Sequence, residues 1–566
     1  MDEFLRDYCP FSVHQKRAVF GAGLVAFLNA FPTVVLVFIG TNPAWHCRED
    51  DRTSELGTVT DAEYLHVSRS TSLHAIASIA RSKRSDCERL ALGECSVTYE
   101  EPWATASAEF GLICEHEAAS SYAQSFYFFG MLLGSWLSGW CSDMYGRRRA
   151  LLLGLFVATL ASLWTTITSS FATFALSRFA AGVGVMCAGV VNNIVASEAV
   201  APSYRSLTTS LMHLGFCLGM TVTPALAYAW SDNWRVLMRN ITLITMASSA
   251  LVYVWVCETP FWLQVHKKQS ELRILLTRWV ASSGNTVPER VLNNVITGRS
   301  ATTLSRSRTE IGVESETGRH DAQYAGDVET VQLASRTGQS LAQLKALLSP
   351  GLRFYSLSML WVWFSICVMY YGLIMHLDGV GSNKYISFFL LAAVEIPSSA
   401  AVIVALRHVG RKSCIFWCLV MTTVFCACSA FIALLSTWTD SEGTVPAFKQ
   451  INWQQSVSNW QLTVSICGKF AASAAFSVLY TYVPELLPTP IRTSGLSVCV
   501  TVSRAGAIMS PLVLSLAQSH HATAPYLVYV LFGTMSCLAI YGMPETRHRG
   551  LPDTVQDLHR LIGSPG

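Results

Sequence analysis

Three charged residues stand inside long apolar runs: Glu395 in Val394-Glu395-Ile396-Pro397, Lys469 in Gly468-Lys469-Phe470, and Arg504 in Ser503-Arg504-Ala505-Gly506. A charge held at the depth of a bilayer is costly, and it is a candidate for meeting a charged solute. Depth follows from the helical rise of about 1.5 Å per residue. Glu395 lies 12 residues before Arg407, and Arg504 lies 12 residues after Arg492. Both then sit roughly 18 Å from one end of the bundle, while Lys469, before Glu485, sits roughly 24 Å from it. Equal depth predicts a Glu395–Arg504 ion pair, since buried charges are paired. If Arg504 is instead free, its planar fork suits a carboxylate or sulfate. One acid facing one base would also suit a zwitterion, and Glu395 alone would suit a cation.

Aromatic residues share this depth. Tyr370 and Tyr371 are adjacent, and Phe476 and Tyr480 are four apart, hence on one helix face. They are expected to line a cavity, with Tyr228 as a further wall, because aromatic faces bind flat organic groups and cations. Asn192 and Asn193 are polar at the same depth and need partners. The first half offers no carboxylate at mid-depth, which argues against a proton relay there.

The elements that must position these residues are helices. The chain has 566 residues, 51% hydrophobic and 14% charged, against about 25% charged in a soluble domain. Apolar runs long enough to span are centred near Ala30, Leu132, Val157, Val185, Cys217, Met246, Phe364, Leu391, Val424, Ala472, Val502 and Leu531. They group six and six, as expected of an all-α membrane protein built from two related halves. The expected plan is a cytoplasmic N-terminus (1–16), a first half (17–257) with an extracellular loop (42–120), a cytoplasmic linker (258–352), a second half (353–543) and a cytoplasmic tail (544–566). The net charge of +3 without a basic stripe gives no nucleic-acid signal. No HExxH, paired CxxC, nucleophile elbow or phosphate loop is present, so neither an enzyme, a metal site, a cofactor nor ATP-driven transport is expected. A channel is disfavoured because no charged pore ring is evident, whereas a receptor-like protein without transport would share the fold.

Positive residues place one side of the bundle in the cytoplasm, with both termini. On that side Gly139-Trp-Cys-Ser-Asp143-Met-Tyr-Gly146-Arg147-Arg148-Arg149 is matched in the second half by Arg407-His-Val-Gly410-Arg411-Lys412. Asp143 with Arg147, Glu198 with Arg205, Glu258, Arg411, Glu485 with Arg492, and Glu545 with Arg547 are candidate gate latches. The loop on the other side carries Cys47, Cys87, Cys95 and Cys114. An oxidising compartment predicts two disulfides among them and leaves three pairings open. The chain's one sequon, Asn240-Ile241-Thr242, falls at a span boundary.

The paired cytoplasmic motifs resemble the loop signature of the major facilitator superfamily, and Arg178-Phe-Ala-Ala-Gly182-Val-Gly184 resembles a second signature of it. Cys95-Ser-Val-Thr-Tyr99, Ala201-Pro-Ser-Tyr204-Arg205, Trp234-Arg235, Glu258-Thr-Pro-Phe-Trp-Leu263, Tyr370-Tyr371-Gly372-Leu373 and Pro484-Glu485-Leu-Leu-Pro-Thr-Pro490-Ile-Arg492 resemble the organic cation, organic anion and carnitine transporter family. The resemblance implies a multi-pass plasma-membrane carrier working by alternating access, as uniporter or exchanger. Its substrate would be a small organic ion, with the lipid bilayer as surroundings and sodium or a counter-transported solute open as a further partner. It also implies cavity roles for Tyr370 and Tyr371. The Arg504 position is acidic in cation-selective members and basic in anion and carnitine carriers, which favours an anion or zwitterion here.

Overall fold

A computed structural model describes residues 1–9, 11–41, 45–49, 86–90, 92, 95–99, 105–297, 352–376, 383–442, 447–487, 491–519 and 523–547. A short α1 (Asp2–Tyr8) leads into α2 (Val13–Val34), which one further turn, Leu36–Ile39, extends. Ser12 and Gln15 cap α2 reciprocally, and the Gln15 amide also donates to the Ala199 carbonyl at 2.8 Å. After the loop elements β1 (Trp45–Glu49), β2 (Cys95–Tyr99) and α3 (Ala106–Glu109) come α4 (Ala119–Tyr145), α5 (Arg147–Thr166), α6 (Phe171–Glu198), α7 (Pro202–Ala229) and α8 (Trp234–Trp255). Three connecting helices follow, α9 (Pro260–Val265), α10 (Gln269–Ser282) and α11 (Glu289–Thr297). The second half comprises α12 (Arg353–Met375), α13 (Lys384–Ala393), α14 (Glu395–His408), α15 (Arg411–Glu442), α16 (Ala447–Leu486), α17 (Arg492–Ser519) and α18 (Ala524–Tyr541).

Eleven of the described helical segments are long and apolar enough to cross a membrane. The twelfth expected span, α4, is 27 residues long but carries Ser120, Ser121, Gln124, Ser125, Ser135, Ser138 and Asp143, which lower its apolarity. It packs within the bundle all the same, with Tyr127 and Phe128 fully buried. Small residues let these helices approach: a Cβ at Gly182 would overlap the Tyr127 carbonyl, and one at Gly506 the Phe364 carbonyl. Close small-residue contacts of this kind hold helices together where lipid removes the hydrophobic drive between them. Outward faces carry exposed Trp136, Phe156, Leu538 and other apolar side chains, as a lipid-facing surface requires.

In the first half α4 and α5 pack on α6, and α7 packs on α2; in the second, α15 packs on α16 and α18, and α12 on α17. The halves meet where α4 lies against α17 and where α7 lies against α13.

The described part of the linker, residues 258–297, is largely helical and packed. Leu272, Leu276, Trp279 and Val280 line one face of α10 and are buried with Leu292 and Ile296 of α11, Trp262 of α9 and Phe4 and Leu5 of α1. Helical spacing of a few apolar residues suffices for this. The rest of the linker, 298–351, lies outside the described residues.

At the opposite end the pairing of the loop cysteines is Cys47–Cys95 and Cys87–Cys114. The first clamps the antiparallel β1–β2 ribbon. Glu109 then ties this loop to the start of α8, accepting from Trp234 Nε1 at 2.7 Å and from Arg235 Nε at 3.1 Å.

Candidate functional site

The span expected around Leu391 is broken at mid-length. Pro397 has no N–H to give to the preceding turn, and the helix divides into α13 and α14 at Val394. Glu395 thereby occupies the first turn of α14, where a helix N-terminus favours a carboxylate. It is fully buried, and its Oε1 pairs with Lys469 Nζ at 2.8 Å. The Tyr370 hydroxyl donates to the same Oε1 at 2.6 Å, and Lys469 Nζ also donates to the Tyr370 carbonyl at 3.3 Å. Oε2 points toward the other half, where the Cys217 thiol of α7 donates to it at 3.4 Å.

The expected Glu395–Arg504 pair is therefore not formed. Backbone depth put Lys469 about four residues' rise, or roughly 6 Å, away from Glu395, and the flexible four-carbon lysine stem covers that distance. Rotation about each helix axis, which depth alone does not give, turns Arg504 elsewhere. Arg504 is half-buried and hydrogen-bonds the Tyr371 side chain, while its Nε is buried without a partner. Among the described residues no carboxylate forms an ion pair with it.

Aromatic side chains join these charges into one wall. Tyr370 stacks on Phe476 with ring centroids 5.7 Å apart and meets Tyr371 edge-on at 5.1 Å. Phe476 and Tyr480 stand 5.5 Å apart, both against Trp363. Phe128 of α4 reaches Tyr371 at 4.8 Å and so carries the wall into the first half. Trp363 lies two turns before Tyr370 on α12, a spacing that could have exposed it in the sequence; Phe128 carried no such signal.

Two expected members lie elsewhere. Tyr228 is 66% exposed and packs on Tyr385, away from the Tyr370 cluster, because the outer turns of α7 lean on α13. Asn193 is exposed and donates to Gly189 of its own helix at 2.9 Å, whereas Asn192 is buried and ties α6 to α2 through the Ala22 carbonyl at 2.9 Å. One residue's step, about 100° around the helix axis, separates the two roles. Arg178 is wholly buried: it lies over the Tyr127 ring at 4.4 Å and donates to the Pro32 carbonyl at 2.6 Å.

The end bearing Arg147 shows the same device twice. Glu258, just past α8, accepts the backbone N–H of Arg147 at 2.8 Å and so caps α5. Glu545, just past α18, accepts the backbone N–H of Arg411 at 2.8 Å and caps α15. Gly146 precedes the first cap at φ +99° and Gly410 the second, and a Cβ at either would strike the capping carboxylate. The arginine side chains then reach the end of the fourth span of their own half: Arg147 meets Glu198 at 3.6 Å, and Arg411 meets Glu485 at 3.1 Å. Arg147 also meets Asp143 at 2.6 Å, but Asp143 is 64% exposed, so this contact contributes little.

Two expected pairings, Glu198 with Arg205 and Glu545 with Arg547, are corrected by this. Glu198 takes Arg147, and Arg205 takes Asp2 of α1 at 2.6 Å instead, because the chain reverses between α6 and α7 and turns Arg205 toward the N-terminus. Glu485 takes Arg411; the side chain of Arg492 lies outside the described residues. The Arg547 guanidinium donates to the Arg407 and His408 carbonyls, leaving Glu545 to the helix cap. In each case the partner comes from a distant helix of the same bundle, and nearness in sequence misleads.

Comparison with known proteins agrees with this architecture. The family model "Major Facilitator Superfamily" matches residues 102–444. The human solute carrier family 22 member 13 is 27% identical over 451 residues, covering 80% of this chain and 71% of the relative. The mouse solute carrier family 22 member 3 is 24% identical over 590 residues, covering 100% and 96%. An inward-open xylose transporter from E. coli shares the fold with a TM-score of 0.56 at 15% identity, over 96% of this chain and 98% of its own. With its duplicated Arg–Glu ends and two packed halves, the chain belongs to the major facilitator superfamily and, within it, to the organic ion transporter family.

Proposed function

We propose that this membrane transporter carries small organic anions across the plasma membrane by alternating access, as a uniporter or exchanger. One observation carries the reading: Lys469 neutralises Glu395, while Arg504 faces the aromatic wall with no acid against it. Arg178 adds a second buried guanidinium without an acidic partner, so the interior holds an excess of positive charge. Such a field attracts anions into a cleft of low dielectric, and the Arg504 fork suits a carboxylate or sulfate. A zwitterion such as carnitine is the second reading. Tyr371, Phe476 and Tyr480 offer aromatic faces to a quaternary ammonium while Arg504 holds the carboxylate. A plain organic cation is disfavoured because Lys469 already neutralises Glu395.

In this reading the Arg147 end is cytoplasmic, with both termini, and the Arg147–Glu198 and Arg411–Glu485 pairs latch that end shut. The rocking halves open and close around the Tyr370–Arg504 wall. The test is uptake by cells expressing the chain of a labelled aromatic carboxylate, carnitine and a quaternary ammonium, with and without a sodium gradient. Saturable uptake of the carboxylate or carnitine is expected. Uptake of the quaternary ammonium alone would overturn the charge assignment, and the sodium arm decides whether that ion is coupled.

A further inference from the structure

Cys217 and His213 are four apart on α7 and therefore share a face. That face turns toward the break between α13 and α14, where Glu395 begins α14. His213 Nε2 lies 3.6 Å from Cys217 Sγ, and Cys217 Sγ lies 3.4 Å from Glu395 Oε2. One ligand atom from each of the three residues falls within 4.8 Å of the other two. In a tetrahedral zinc site, bonds of about 2.0–2.3 Å set neighbouring ligand atoms roughly 3.3–3.7 Å apart. Two of the three separations already have that length, and the His213–Glu395 separation, within 4.8 Å, needs to close by at most about 1.5 Å to match.

We propose that His213, Cys217 and Glu395 form a binding site for a thiophilic divalent cation, Zn2+ above all, that bridges the two halves of the bundle. The ligand set of imidazole, thiol and carboxylate is the one that zinc prefers over magnesium or calcium. The carboxylate is divided suitably. Oε1 is held by Lys469 and Tyr370, while Oε2 has only the thiol, so a cation binds Oε2 without displacing the lysine. The buried Cys217 thiol donates to that carboxylate. Zn2+ takes the place of the thiol proton, which leaves to solvent, so the thiolate offsets one of the ion's two charges and the site gains one net positive charge. His213 is half-buried and keeps the site open on one side, leaving the fourth position to water. Sequence gave no hint of the site, because Glu395 stands 178 residues from Cys217.

Two ligands come from the first half and one from the second, so bound Zn2+ staples α7 to α14. Inhibition of transport by micromolar Zn2+ follows only if the halves rock as proposed above; the binding itself does not depend on that reading. Binding is therefore measured directly on the purified full chain in detergent, by Zn2+ titration against a competing chelator. Thirteen free cysteines among the described residues set a background, so His213→Ala and Cys217→Ser are compared with the unaltered chain. Among the described residues the hydrogen-bond contact of His213 is with Cys217 of its own helix, so its removal breaks no hydrogen bond to another helix. The expected result is one site whose affinity falls at least tenfold in each variant. X-ray absorption of the loaded chain should show one sulfur near 2.3 Å and nitrogen or oxygen near 2.0–2.1 Å. Equal affinity in all three chains, or a shell of sulfur alone such as Cys414 and Cys418 would give, overturns the proposal.

Discussion

The two halves are alike at one end and unlike in the middle. At the Arg147 end each half uses a glycine turn, a carboxylate that caps the next helix, and an arginine bonded to a glutamate across the bundle. At mid-depth the first half holds Arg178 on Tyr127, with no acid, while the second holds the Glu395–Lys469 pair and the unpaired Arg504. On the proposed function, duplication is kept where the halves move alike and lost where the substrate is recognised by charge, since recognition needs one asymmetric site and not two equal ones.

This comparison can be broken most severely in the second half. Lys469→Met leaves a fully buried carboxylate without its cation, and it should cost about 3–5 kcal/mol of stability. Adding Glu395→Gln should recover most of that loss, and thermal unfolding of the single and double variants checks it. The duplicated ends should respond equally. Arg411→Ala removes a partly buried, charge-assisted hydrogen bond of about 1.5–3 kcal/mol, and Arg147→Ala the partly buried ion pair at 3.6 Å. Each should lower uptake by about tenfold or more at unchanged surface expression, and a large inequality would show that the two ends are not equivalent latches. Gly146→Ala and Gly410→Ala should each cost about 1–3 kcal/mol, the first through both strain and collision, the second through collision alone.

The smallest effect is expected at the disulfide-clamped loop. The Arg235 guanidinium beside Glu109, helped by the Trp234 N–H, holds the Glu109 carboxyl below the ordinary carboxylate range despite partial burial. A carboxyl depressed in the folded state contributes its stability above the unfolded value of about 4.3 and loses it as pH falls further. Thermal unfolding scanned downward from neutral pH should therefore show a difference between Glu109→Gln and the unaltered chain that shrinks below about pH 4.

Much of this was legible in the sequence because it depends on hydrophobicity and local spacing. The apolar runs predicted the spans, and the repeated Gly-Arg turns predicted equivalent ends. The Phe476/Tyr480 spacing predicted part of the aromatic wall. Partner choice was not legible. Depth along a helix is additive in residues, so Glu395 and Arg504 could be levelled with each other, but their rotation about separate axes depends on packing at Gly506, Phe364 and Pro397. Nearness in sequence likewise suggested Glu198 with Arg205, where packing chose Arg147 and Asp2. Tyr228 likewise stands outside the Tyr370 cluster, against Tyr385, and Asn193 bonds within its own helix.

The central claim is that Arg504, left unpaired by the Glu395–Lys469 bond, reads the charge of the substrate. The most direct measurement is paired uptake of a labelled organic carboxylate and its uncharged amide by the unaltered chain and by Arg504→Gln, normalised to protein at the cell surface. Loss of one charge-assisted fork should lower carboxylate uptake by about tenfold to a hundredfold and erase the preference over the amide. Undiminished carboxylate uptake by Arg504→Gln, with its preference intact, would contradict the account.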